Sequence, residues 1–280
     1  MMILPSTISE ATRTLKNLSN EAKILAGGTW VMRAPIRDEY EDKIFVSLKN
    51  ISSLYKCEIK NNHISLGALM THQHIAEKLS NIDELQCLKQ AVLASANPAI
   101  RRMATIGGNI CTSDFLASDL VPALIASDAK ILFQSCESKN QMPIEQYLKT
   151  RTKRQKDEIL TSIQIPRGDF RSAHVRLLMR KAGEYPIANL SIRYSIDETG
   201  SVQEARIVVG AVESTVRRWI KLENALNNKK LSNLNMLEIA KGNLDEFIGR
   251  NGPDAPGWYR TRVLPRLLFD AFAQTAQEFH

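Results

Sequence analysis

The sequence predicts an α+β protein in which two small α/β units precede an α+β C-terminal domain. Three observations lead there. At 280 residues the chain exceeds the usual size of one compact domain. With 44% apolar and 24% charged residues, it has the composition of an ordinary globular protein with room for a core. Short strand-like runs closed by Gly-Gly and Asn-Asn turns alternate with helical segments as far as residue 168. Beyond that point three strand-like runs are followed by three helical ones.

In the first unit, residues 1–54, Thr7 or Ser9 caps a helix through Leu15 and Leu18, with Glu10 in its first turn. Lys23–Ala26 is a short strand that stops at Gly27-Gly28, and Lys43–Leu48 is a second strand. In the second unit, residues 55–168, Cys57–Leu66 forms a hairpin turned at Asn61-Asn62, and Thr71 precedes a helix to Leu79. Asp83–Ala96 is an amphipathic helix, followed by an irregular stretch that contains Gly107-Gly108. Ser118 caps a helix through Leu124, and Ala129–Phe133 and Glu158–Ile165 are strands. In residues 169–280, the runs Ala173–Arg180, Ala188–Ile196 and Ala205–Val212 form a three-stranded antiparallel sheet. Helices over Val216–Leu226, Asn235–Ile248 and Trp258–Phe272 back it, with a break or kink at Pro265.

Several function classes fall away. No stretch approaches the roughly 18–20 consecutive apolar residues of a membrane span, and the N-terminus lacks the features of a secretory signal, so a cytoplasmic protein is expected. The net charge is +7, but the basic residues are dispersed. Their densest run, Lys149–Lys156, reads as a solvated loop, with contact to an acidic partner as a second reading. No aromatic residues interleave with it, so no nucleic-acid partner is expected.

Cys57, Cys87, Cys111 and Cys136 contain no C-x-x-C pair, which argues for free thiols and against a cluster or zinc site in this chain. Cys111 reads as a small buried hydrophobe, although its place just past the second Gly-Gly pair would also let it approach a cofactor. Of His63, His72, His74, His174 and His280, only His72 and His74 are close in sequence. Those two point to different faces of a helix start, so surface or capping roles are expected and no metal site.

The chemistry is concentrated in A-G-G-T (Ala26–Thr29) and T-I-G-G-N (Thr105–Asn109). Two glycines permit close backbone approach to a ligand, and successive N–H groups in such a turn form a nest for a phosphate or pyrophosphate. Either pair alone is more often a plain tight turn. Neither fits the Rossmann or P-loop spacing. Thr105 and Asn109 add side chains that hydrogen-bond phosphate or ribityl oxygens. Two such turns on separate small units suggest a diphosphate clamped between subdomains.

The ordered motifs I-L-A-G-G-T, L-G-A-L-M-T, N-P-A-I-R-R-M-A-T-I-G-G-N-I-C, A-S-D-L-V-P-A-L, E-I-L-T-S-I-Q-I-P, M-R-K-A-G, A-R-I-V-V-G-A-V and W-Y-R-T-R-V-L span nearly the whole chain. Together they resemble the molybdopterin-dehydrogenase FAD-binding family. These are the medium subunits of carbon monoxide dehydrogenase and xanthine dehydrogenase-like molybdenum hydroxylases. The resemblance implies a two-subdomain FAD-binding fold of the vanillyl-alcohol-oxidase (PCMH) type, followed by the α+β domain. It implies that Ile24, Leu25, Ala26, Gly27, Gly28, Thr29, Trp30 and Val31 contact the FAD diphosphate. Thr105, Ile106, Gly107, Gly108 and Asn109 supply further contacts, with Thr112 and Asp119 as downstream polar ones. Ile159 and Leu160 match apolar positions near the cofactor, and Lys181 a basic one, with Arg180 as its competitor.

The chain departs from the family pattern at Trp30, where an acidic or polar residue is usual, at D-F-L-A-S-D, where S-P-A-S-D is common, and at Glu184 and Tyr185, where a basic residue is usual. Trp30 reads as packing, against FAD or within the protein; the lengthened loop leaves Asp114, Ser118 and Asp119 as competing cofactor contacts.

The family role is electron relay. Substrate is oxidised at a molybdopterin cofactor in a large molybdenum-cofactor subunit, and electrons pass through 2Fe-2S clusters in a small iron–sulfur subunit. FAD then passes them to NAD, oxygen or a quinone. No catalytic acid or base is therefore assigned to this chain. A free-standing FAD-dependent oxidoreductase, and a non-catalytic assembly subunit that binds FAD weakly, are the alternatives.

Overall fold

The computed structural model describes residues 1–39, 43–113, 115–179, 185–231 and 235–277. Its first helix, Ile8–Leu18, starts at Thr7, whose hydroxyl accepts from the Glu10 N–H at 3.1 Å. The Glu10 carboxylate reaches back to accept from the Ser6 N–H at 2.8 Å, so two otherwise orphaned donors are satisfied reciprocally. Ala11 and Leu15, one turn apart, are buried against Val46, Leu48 and Ile51.

Two units are distinguished. One comprises Met1–Ile75, Pro98–Asp114 and Ala129–Pro166; the other comprises Ala76–Asn97, Phe115–Asp128 and Arg167–His280. In the first, β1 (Met2–Ile3), β2 (Ala22–Leu25) and β3 (Ile44–Ser47) form a parallel sheet in the order β1-β3-β2. β1 is too short to show in the sequence pattern. The hairpin predicted around Asn61-Asn62 is present as β4 (Cys57–Ile59) and β5 (His63–Gly67). With β6 (Lys130–Gln134), β7 (Lys139–Pro143) and β8 (Ile159–Pro166) it makes an antiparallel sheet ordered β4-β5-β8-β6-β7. β7 has no strand-like pattern in the sequence: K-N-Q-M-P opens with three polar residues and ends in proline, as an exposed edge strand permits.

The second unit is built on β9 (Arg171–Leu178), β10 (Pro186–Ile196), β11 (Val202–Gly210) and β12 (Arg217–Arg218), an antiparallel sheet ordered β12-β11-β10-β9. The predicted three-stranded sheet is thus four-stranded among the described residues. The extra strand takes Arg217-Arg218 from what read as a helix start, which moves to Ile220. The buried Glu223 holds this arrangement, pairing with Arg218 and accepting from the Ile207 N–H at 2.8 Å. Leu190, Ile192, Ile207, Val209, Trp219 and Leu268 lie in one core cluster. The last predicted helix divides at Val263 into Gly257–Arg262 and Leu264–Gln277, and Pro265 sits in the first turn of the second piece, where no backbone donor is needed. No helix of the described residues is long and apolar enough to cross a membrane.

Replacing Thr7 by Ala should cost about 1 kcal/mol through loss of the cap, read from a urea titration. The Ser6 hydrogen bonds hold the Glu10 carboxyl below its ordinary value. Its contribution is therefore complete above the ordinary carboxylate pKa and declines as pH falls through the depressed one. The penalty of Glu10→Gln should shrink accordingly on acidification.

Candidate functional site

Ala26–Thr29 lies at the carboxyl end of β2, where ligands bind in open parallel sheets. Gly27 is required by packing within the protein, since a Cβ there would fall on the Met103 carbonyl oxygen. Gly28 is required by its backbone, at φ +74°. The N–H groups of Gly27, Gly28 and Thr29 donate to nothing among the described residues, although the turn is half-buried. Three successive donors left open on a half-buried turn are what an anion nest supplies, and a diphosphate matches that donor set.

Trp30 and Val31 lead into a 3-10 helix over Val31–Arg37, with Met32 N–H donating to Gly28 O at 2.9 Å. The Arg37 guanidinium lies 4.2 Å over the Trp30 ring and donates to the Trp30 carbonyl at 3.1 Å. Its other edge forks onto Glu39 at 2.8 and 2.7 Å, which holds the Glu39 carboxyl below its ordinary value. Trp30 is thus packed within its own segment.

The second glycine pair is not an irregular stretch. Thr105 is the N-cap of a short helix, Ile106–Cys111, and its hydroxyl accepts from the Gly108 N–H at 3.2 Å. Ile106 donates to Met70 O, Gly107 to Ala68 O and Asn109 to Thr105 O, so this segment spends its donors on the protein and is no nest. A Cβ at Gly107 would stand 2.8 Å from the Ala68 carbonyl oxygen. Thr112 ends the helix, donating from its hydroxyl to Gly108 O at 2.8 Å, while Arg151 donates to the carbonyls of Thr112 and Ser113.

The predicted residues of the first unit therefore differ in their donors: Gly27–Thr29 leaves its N–H groups open, whereas Ile106, Gly107, Gly108 and Asn109 spend theirs within the protein. Leu25 on β2 and Ile159 and Leu160 on β8 are buried, and Ile24 is half-buried; Ile159 is in the core beside Leu15 and Val46. Two sequence readings are refined here. Cys111 is exposed as a residue, yet its thiol is buried beside Tyr147, and that burial pushes it above its ordinary pKa. The Lys149–Lys156 run is only partly solvated, because Arg151 braces the helix end and Arg154 lies 4.7 Å over the Phe133 ring while pairing with Glu158.

Asp119 belongs to the second unit. It is 2% exposed, accepts from Asn189 Nδ2 at 2.9 Å, and faces His174 Nε2 at 3.2 Å and Arg176 at 3.1 Å. His174 Nδ1 in turn meets Ser191 Oγ at 2.8 Å. Ser191, His174 and Asp119 are connected like a hydrolytic triad, but all three are buried, so the chain of contacts is structural. His174 and His72 were expected at the surface or in caps and are instead buried; nothing in their local sequence marks this. Ser118 caps its helix as predicted, accepting from the Val121 N–H at 3.1 Å. Two departures from the family pattern meet each other: the Phe115 and Tyr185 rings pack edge to face at 5.2 Å. Lys181, Arg180, Glu184 and Asp114 lie outside the described residues.

Gly27→Ala should destabilise the first unit by roughly 1–3 kcal/mol, because backbone must move to admit the methyl group. Gly28→Ala meets only ordinary contacts at 3.5 Å or more, and should cost about 1 kcal/mol for its backbone conformation. Thermal melts of the two variants test that order. Asp119→Ala strands His174 and Arg176 and should cost the second unit about 3–5 kcal/mol in chemical denaturation.

Residues 1–168 match the family described as the FAD binding domain in molybdopterin dehydrogenase, and residues 173–275 match the CO dehydrogenase flavoprotein C-terminal domain. The glyceraldehyde dehydrogenase medium chain of Sulfolobus acidocaldarius is 23% identical over 272 residues, covering 96% of each chain. The xanthine dehydrogenase FAD-binding subunit of Escherichia coli O157:H7 is 27% identical over 266 residues, covering 92% of this chain and 90% of that one. A chain of the reconstituted CO dehydrogenase from Oligotropha carboxidovorans superposes with a TM-score of 0.90 at 22% identity, covering 98% of this chain and 96% of that one, which establishes a shared fold. The chain belongs to the molybdopterin-dehydrogenase FAD-binding family and is an FAD-binding oxidoreductase subunit with the CO dehydrogenase flavoprotein C-terminal domain.

Proposed function

We propose that this subunit holds FAD on the Gly27–Thr29 turn and relays electrons from 2Fe-2S clusters of a small partner subunit to an external acceptor such as NAD, oxygen or a quinone. Substrate oxidation falls to a large molybdopterin-bearing subunit. The observation that carries this reading is the open donor set of Gly27, Gly28 and Thr29, sited at the carboxyl end of a parallel strand. Bound there, the flavin supplies the redox chemistry. The chain's own residues bind and orient it. Gly27, Gly28 and Thr29 take the diphosphate, flanked by Ala26, Trp30 and Val31. Thr105, Ile106, Gly107, Gly108 and Thr112 support the turn, and Asn109 is a half-buried polar residue among them. Ile24, Leu25, Ile159 and Leu160 give apolar support that keeps water out.

Asp119 acts through the buried network it anchors, and Lys181 supplies positive charge. The separate parallel and antiparallel sheets of the first unit support a vanillyl-alcohol-oxidase (PCMH) type of arrangement, with subdomains over 1–54 and 55–168 and a C-terminal domain over 169–280. The free thiols of Cys87, Cys111 and Cys136 favour a cytoplasmic location.

Affinity purification of the chain from its native host tests this reading. Flavin absorbance and co-purification of molybdenum-bearing and iron–sulfur chains are expected. Absence of flavin bands after saturation with FAD would overturn it, and flavin without partner chains would leave a free-standing flavoprotein in its place.

A further inference from the structure

The Gly27–Thr29 turn contains two glycines, the residues least able to hold a backbone shape unaided. An ordered nest therefore needs anchors on both sides. On the N-terminal side β2 is fixed by its ladder to β3. On the C-terminal side the chain winds through Val31–Arg37 and returns Arg37 onto Trp30, where one guanidinium makes three kinds of contact. It covers the Trp30 ring at 4.2 Å, donates to the Trp30 carbonyl at 3.1 Å, and forks onto Glu39 at 2.8 and 2.7 Å. The Glu39 pair is too exposed to add much stability, but it fixes the plane of the guanidinium. Asp38, at φ +59°, closes the helix by donating to the Ala34 and Pro35 carbonyls and keeps Arg37 and Glu39 on one side of it.

We infer that Arg37, acting through Trp30, is a positioning residue that holds the Gly27, Gly28 and Thr29 N–H groups in a diphosphate-binding arrangement. The inference rests on the FAD reading above. It also accounts for an aromatic residue where the family pattern is acidic or polar: the ring gives the guanidinium a face to lie on, and the same guanidinium ties down the backbone that follows the nest. Ordering the turn in advance removes conformational entropy that binding would otherwise have to overcome.

The test compares wild type, Arg37→Ala, Arg37→Lys, Glu39→Gln and Trp30→Phe. FAD affinity is read by flavin fluorescence, and inorganic pyrophosphate serves as the competing ligand. Arg37→Ala should weaken both ligands by the same factor, about tenfold, with the melting temperature of the flavin-free protein close to wild type. Arg37→Lys keeps the charge but loses the fork, and should behave like Arg37→Ala. Glu39→Gln should weaken binding in the same direction by less, and Trp30→Phe, which keeps the backbone carbonyl and a smaller face for the guanidinium, should weaken it less than Arg37→Ala. Wild-type affinity in Arg37→Ala, or full rescue by lysine, would overturn the positioning role; rescue would mean that charge alone matters. Failure of the wild-type chain itself to bind FAD would instead overturn the functional reading beneath it.

Discussion

The first unit depends on one backbone contact, Gly27 lying against the Met103 carbonyl. No side chain fits there, so the end of β2 and the start of the Ile106–Cys111 helix are held together as closely as two backbones allow. Neighbouring hydrogen bonds complete the knot. His72 donates to Ala104 O, Ile106 to Met70 O, Gly107 to Ala68 O and Ala68 to Thr161 O. Segments distant in sequence thereby converge on a few residues, and the two glycine motifs divide the work. The second spends its N–H groups within the protein; the first keeps its donors open.

The second unit uses a different constraint. Its organising charge is Asp119, buried at the start of the Leu120–Ala126 helix and answered by His174, Arg176 and Asn189 from β9 and β10. Such a group contributes little net stability when complete, yet any missing partner leaves an expensive buried charge. The network therefore specifies how that helix meets the sheet more than it strengthens the contact.

Much of this architecture was legible in the sequence because it depends on local chemistry. Thr7 with Glu10, the Asn61-Asn62 hairpin, the Ser118 cap and the break before Pro265 are each decided within a few residues. What escaped depends on distant partners. β1 and β12 are two-residue strands that exist only through their neighbours, and β7 is polar enough to read as loop. The burial of His174 needs Asp119, 55 positions away. The glycines of both motifs were visible, but not that Gly27 and Gly107 answer to packing within the protein, against the Met103 and Ala68 carbonyls. The unusual aromatics were visible too, while their partners, Arg37 for Trp30 and Tyr185 for Phe115, were not.

In the proposed function the open N–H groups of Gly27, Gly28 and Thr29 receive the FAD diphosphate. The most direct measurement is the amide proton shift of these three residues by NMR as FAD is added to the flavin-free protein. Large, saturable downfield shifts confined to this turn, reproduced in part by pyrophosphate, are expected. FAD binding that leaves those three amides unmoved would contradict this role of the turn.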